Sequence, residues 1–253
     1  MIIDTSFDFT TDSLHYWDNF WENNCGLGGG GSDPDSASKT LQRYHQLLWS
    51  KELPNGERME LKAGSGPYYL TWKDYRFGSD SIIVSFRHSK CEELMKAVRA
   101  SMPDYVQFVE SFVRRTYTIG GEIIFPKHVN SMNQRKGCHQ LIGDRWDLTL
   151  ECIRRYYIGE DSPLFSTIQA DKAFYDLFVD FKGYVDFFFL QDCVTEDYKT
   201  VRIWQGKGDF SENPYPQDVE QYLRWIDNQL DFTAKRNQRI AEACNEDCPK
   251  EHT

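Results

Sequence analysis

Between residues 59 and 86 apolar side chains recur every second position. Met59 and Leu61 share one face of an extended chain, Tyr68, Leu70 and Trp72 a second, and Ile82, Val84 and Phe86 a third. A period of two predicts short, half-buried antiparallel strands. Before them, SLHYWDNFWENN reads as a helical turn or two, and SASKTLQRYHQLLWSK (36–51) as a helix with Asp35 or Ser36 as its N-cap. LPNGE (53–57) is a turn, since Pro54 fixes its own φ and Asn55-Gly56 tolerates positive φ.

Beyond residue 90 the period lengthens to that of a helix. CEELMKAVRAS (91–101) and PDYVQFVESFVRRTY (103–117) read as helices, with Pro103 in the first turn of the second. TIGGEIIFP (118–126) reads as a strand, and KHVNSMNQRKGCHQLIG (127–143) as a long polar loop before the helix GDRWDLTLECIRRYY (143–157). Aromatic helical segments are expected at about 166–181 and 183–194, and a further strand at TVRIWQG (200–206). Val219, Tyr222, Leu223, Ile226, Leu230, Thr233, Ile240 and Ala241 then mark one long amphipathic helix over roughly 216–244. A small antiparallel sheet followed by a mostly helical half predicts an α+β fold. The expected organisation is an acidic aromatic segment (1–25), a Gly-rich linker (26–34), a single α+β domain (35–244) and a tail (245–253).

Composition sharpens this picture in three ways. The chain of 253 residues carries 17 Phe, 14 Tyr and 7 Trp, so its core should be aromatic. Its greasiest stretch, FVDFKGYVDFFFLQDCV (178–194), is cut by Asp180, Lys182, Asp186 and Asp192, which argues against a membrane span. The seven scattered Cys suit free thiols in a reducing cytosol better than a disulfide framework, and the N-terminus lacks the pattern of a signal peptide. The net charge is −10, and residues 1–38 hold seven acidic side chains with no Lys or Arg. General attraction to nucleic acid or anionic membrane is therefore not expected, but that segment could meet a protein partner. Lys127, Arg135, Lys136 and Arg145 against Asp144 make a local basic site over 127–145.

Most motif-like features have bland explanations. GLGGGG (26–31) matches the spacing of a dinucleotide loop, but no strand precedes it, and Asp33 and Asp35 would repel a diphosphate. Cys244, Cys248 and His252 offer three zinc ligands at a chain end, without a fourth. His45 and Trp49 share a helix face with Lys51 nearby, which suits either an anion site or a satisfied, partly buried histidine.

GDRWDLTLECIRRYY is the densest charge cluster. At about 100° per residue, Trp146, Leu150, Ile153 and Tyr157 form a core stripe. Asp144, Asp147, Glu151, Arg154 and Arg155 form a second band. Glu151 precedes Arg154 and Arg155 at helical pairing distance, Asp144 can cap, and Asp147 suits the helix dipole. Leu148 and Cys152 on the far flank predict a helix covered on more than one side, with its charged band half enclosed. The basic loop also feeds the N-terminus of this helix, which favours anions.

The blocks RYHQLLWSKELPNGE, YTIGGEIIFP, NQRKG, DRWDLTLECIRRYY, GYVDFFFLQDCV and RNQRIA, in this order over about residues 30–243, resemble an uncharacterised bacterial protein family, a domain of unknown function. The resemblance implies a cytoplasmic bacterial protein and transfers no catalytic residue. YTIGGEIIFPKHVNSMNQRKG is also similar to an Ile-Gly-Asn segment and Asn-rich loop in the nuclease part of modification-dependent restriction enzymes. Here Gly121 stands where that pattern has Asn, and residues 92–118 contain no His.

The functional expectation is a phosphate-bearing ligand, a nucleotide or nucleic acid. Lys51, Arg135, Lys136 and Arg145 would bind it, with His45, Asp147 and Glu151 as the candidates for any chemistry. No cofactor is expected, and nothing in the sequence supports a divalent metal, which is left open. The alternatives are an interaction module acting through the acidic N-terminal segment, in stress or phage response, and a divergent nuclease.

Overall fold

In the computed structural model, which describes residues 3–22, 33–82, 92–128, 145–210 and 214–246, the N-terminal half builds a four-stranded antiparallel sheet. Strands β1 (Lys62–Ser65), β2 (Tyr68–Trp72), β3 (Tyr75–Ser81) and β4 (Glu122–His128) lie side by side in chain order. Lys73 and Asp74 form a two-residue turn that sets Trp72 opposite Tyr75, with Lys73 at φ 50°. Pairing therefore resumes at Tyr75, and the third strand ends before Ile82. Ile82 is buried just beyond it, while Val84 and Phe86 fall outside the described residues. The pattern pointed past this strand because its last three residues, Ser79, Asp80 and Ser81, are polar. Ser79 is nevertheless buried, where its hydroxyl donates to Glu122 Oε2 at 3.2 Å.

The helix expected from residue 36 is split. Asp33 caps a short α2 (Pro34–Ala37), and Ser38 caps α3 (Lys39–Trp49) by accepting from Leu41 N at 3.0 Å. A serine oxygen that satisfies a free amide starts a helix better than it continues one. Two further helices, α4 (Glu92–Ser101) and α5 (Tyr105–Thr116), follow, and Pro103 lies before Asp104, the N-cap of α5. Next come α6 (Trp146–Tyr157), α7 (Phe165–Ala170), α8 (Lys172–Tyr175), α9 (Phe181–Phe187) and α10 (Val219–Glu246). The two aromatic segments expected at 166–181 and 183–194 are broken into short turns. Val179 adopts φ 68°, and Asp180 caps α9 by accepting from Gly183 N. TVRIWQG is not a strand: Val201 makes one isolated bridge to Val194.

The core is aromatic, as the composition requires. Trp49, Phe178, Tyr184, Phe187 and Phe188 meet mostly edge to face or tilted, and Phe125 of β4 meets Trp146 of α6 at 5.7 Å. α10 buries Tyr222, Trp225, Ile226, Phe232 and Ile240. It lies so close to the 3-10 turn Ile119–Gly121 that a Cβ on Gly120 would sit 2.5 Å from the Thr233 carbonyl oxygen. A Cβ on Gly121 would sit 1.8 Å from the Thr116 carbonyl oxygen. No side chain fits at 121, so the asparagine of the restriction-enzyme pattern has no room on this backbone.

Candidate functional site

Every residue from Arg145 to Ile153 is buried, charges included. A helix with charged groups enclosed must pair each of them, and α6 does so in part by holding a loop. Arg145 donates through Nε to Asp147 Oδ1 at 2.9 Å and through Nη2 to Asp147 Oδ2. It also donates to the carbonyls of Pro214 and Gln205, at 3.0 Å each. Asp147 Oδ2 accepts from the backbone amide of Trp204 at 2.8 Å. One turn on, Glu151 accepts from Arg154 at 2.7 and 2.8 Å and from Arg155 at 2.8 Å, and Arg155 reaches the Gly208 carbonyl at 2.8 Å. Burial alone would raise the Glu151 carboxyl, but the two guanidinium groups outweigh it and lower its pKa. Arg145, Asp147 and Arg155 thus clamp the backbone at Trp204, Gln205, Gly208 and Pro214.

The other expected site residues are placed elsewhere. His45 is fully buried, with Nδ1 2.8 Å from the Tyr69 hydroxyl. Burial, then the nearby Arg236 charge, lowers its pKa to about 3, so it is neutral at physiological pH. Lys51 donates to the Phe187 carbonyl at 2.7 Å and lies over the Trp49, Phe187 and Phe189 rings at 5.1, 4.5 and 4.1 Å. His45 and Lys51 belong to this aromatic core, apart from the α6 cluster. Arg135 and Lys136, with Asp144, lie outside the described residues.

The loop that α6 holds forms one wall of a groove, and α10 forms the other. A recess of about 580 Å³ is lined from the loop side by Val194, Tyr198, Arg202 and Trp204, and from α10 by Asn228, Phe232, Lys235 and Arg239. A second recess of about 770 Å³ continues past Ile203 and Trp204 toward Gln221 and Arg224. Trp204 is the ridge between them. Its amide is fixed by Asp147, its carbonyl accepts from Asn228 Nδ2 at 3.1 Å, and its ring lies 5.7 Å from that of Phe232.

Three cations face the first recess. Arg239 pairs with Asp192 at 2.5 and 3.2 Å, and Lys235 pairs with Asp231 at 2.6 Å. Arg202 is different: its Nε donates to the Val194 carbonyl at 2.9 Å, and it makes no ion pair among the described residues. Glu196 is the remaining acid in the lining. Sequence reasoning passed over these residues. The trace they left is weak: Arg202 and Trp204 sit in a segment that reads as a strand, and Asn228, Asp231, Lys235 and Arg239 form a polar stripe on α10 at helical spacing.

Together these features define an α+β protein in which a buried ion cluster holds a loop against a long C-terminal helix, with a polar, aromatic-ridged groove between them. The chain belongs to the Family of unknown function (DUF6994), whose model matches residues 3–240. No curated protein and no solved structure matches it. Among the described residues no helix is long and apolar enough to cross a membrane.

Proposed function

We propose that this chain is a bacterial cytosolic protein that binds a phosphate-bearing ligand, a nucleotide or the nucleotide unit of a nucleic acid, in the groove between α10 and the loop 191–206. The observation that carries the reading is Arg202, exposed at the groove with its Nη groups unpaired among the described residues. A planar guanidinium with free donors suits two phosphate oxygens at once. Lys235 lies across the groove, and its exposed pair with Asp231 holds it only weakly, so a phosphate can replace the carboxylate. Trp204 and Tyr198 supply ring faces for a base. The volume falls within the roughly 300–1,000 Å³ of small-molecule sites.

This reading keeps the ligand class suggested by the basic loop and gives Arg145 and Asp147 a positioning role, since both hold the wall that carries Trp204. Thermal unfolding in the presence of mononucleotides and short oligonucleotides tests it. A ligand at 100 times its Kd stabilises by roughly 2.7 kcal/mol. The Arg202→Gln/Lys235→Gln variant should weaken binding at least about tenfold, the loss of roughly 1.4 kcal/mol. Absence of stabilisation by every nucleotide, or an equal response in that variant, overturns the reading. Running the same mixtures with Mg²⁺ or Mn²⁺ on a gel decides whether any nucleic acid is cut.

A further inference from the structure

We propose a second binding surface, at the opposite end of the sequence: an aromatic, acidic pocket on α1 (Tyr16–Glu22) that docks a basic segment of a partner protein, taking a Lys or Arg side chain against Trp17 and Trp21. The pocket is open, has a volume of about 540 Å³, and is lined by His15, Trp17, Asp18, Asn19, Trp21 and Glu110. Two carboxylates and two indoles line it, and among the described residues no Lys or Arg does. Trp17 and Trp21 stand four residues apart on one helix, so both rings face the same side. Glu110 of α5 accepts from Trp21 Nε1 at 3.1 Å, which fixes that ring and leaves the carboxylate at the pocket wall.

The chain already shows the chemistry of this site beside it. The Arg114 guanidinium carbon lies 4.6 Å from the Trp17 ring centroid, and its Nη1 pairs with Asp8 at 2.9 Å. A cation between an indole face and a carboxylate is therefore the arrangement this segment stabilises. Leu14 next to the pocket is 78% exposed, and His15 holds a left-handed φ of 58°. An exposed apolar side chain beside a strained residue fits a surface completed by another chain. The charge complementarity is long-ranged: residues 1–38 hold Asp4, Asp8, Asp12, Asp18, Glu22, Asp33 and Asp35 and no Lys or Arg, with His15 3.2 Å from Asp18 as the one titratable nitrogen side chain.

The test is titration of the whole protein with a fluorescent Lys/Arg-rich peptide and with its Glu-substituted counterpart. The basic peptide should bind, the acidic one should not, and affinity should fall as salt rises from roughly 50 to 300 mM, because screening shortens the reach of exposed charges. Asp18→Asn/Glu110→Gln removes both charges, while the amide oxygen introduced at position 110 can still accept from Trp21. It should weaken the peptide at least about tenfold, read as a shift of the titration midpoint. Equal binding of the two peptides, or an unchanged affinity in the double variant, overturns the proposal. So does binding of free tetramethylammonium as tight as that of the peptide, which would make the occupant a small cation. The double variant leaves the groove untouched, so its nucleotide response separates this proposal from the preceding one.

Discussion

Asp147 has no exposed surface, and the group it neutralises, Arg145, is 2% exposed. Removing one partner strands the other in a medium that solvates it poorly, at a cost of about 3–5 kcal/mol. Asp147→Ala should therefore unfold at markedly lower urea than the native chain. The charges of Arg154 and Glu151 do less, because Arg154 remains half-buried with water within reach. Two buried titratable groups shape the pH dependence in opposite senses. His45, held near 3, stays neutral when folded but takes a proton when unfolded below its ordinary 6.5, so its contribution is lost as pH falls through that window. Glu122 is pushed well above its ordinary 4.5 by burial and by the neighbouring Asp35 carboxyl. It keeps a proton that the unfolded chain releases, so its contribution is lost as pH rises above about 4.5. Urea unfolding at a series of pH values should show His45→Gln relieving the acid-side loss and Glu122→Gln relieving the loss toward neutral pH. Each slope is at most about 1.4 kcal/mol per pH unit.

At the scale of elements, the contact between α10 and the turn Ile119–Gly121 organises the molecule. Arg236 is fully buried on α10 and donates to the carbonyls of Gly120 at 2.9 Å, Glu122 at 2.7 Å and Phe188 at 3.1 Å. Asn237 accepts from Gly120 N at 2.7 Å and donates to Thr118. One turn of α10 thus ties the start of β4 to the end of α9. Gly120→Ala and Gly121→Ala should each cost at least the roughly 1–3 kcal/mol of an overpacked core, read as a fall in unfolding midpoint. Gly121→Ala should be the worse of the two, since its new carbon would meet backbone at 1.8 Å.

Across the whole molecule, the buried cluster on α6 and the groove on α10 are coupled through one loop. Asp147 holds the amide of Trp204, and Arg145 holds the carbonyl of Gln205. Asp147→Asn keeps an oxygen that can accept but loses the charge facing Arg145. In Asp147→Asn, nucleotide affinity should fall while the protein remains folded, with calorimetric titration as the readout. Unchanged affinity in a destabilised variant would show that the clamp serves stability alone. The two proposed surfaces lie on different elements, so nucleotide and basic peptide should bind without competing.

The α+β class, the meander of short strands, the long C-terminal helix and the aromatic core were legible from periodicity and composition, because burial imposes its period on every element that faces a core. The covered flank of α6 was legible too, from Leu148 and Cys152. Element ends were less so: Ser38, Val179 and the turn at Lys73-Asp74 are decided by local hydrogen bonds and backbone angles that hydrophobic spacing does not record. The partners of the charges on GDRWDLTLECIRRYY lay beyond the reach of spacing. Helical geometry paired Glu151 with Arg154 and Arg155, which are near in sequence, and the structure keeps those pairs. The backbone partners of Arg145, Asp147 and Arg155, at Trp204, Gln205, Gly208 and Pro214, are 53 to 69 residues away along the chain. Only the tertiary fold brings such groups together. It thereby turned a cluster that resembled a site into the support of a groove built from residues that no local pattern had marked.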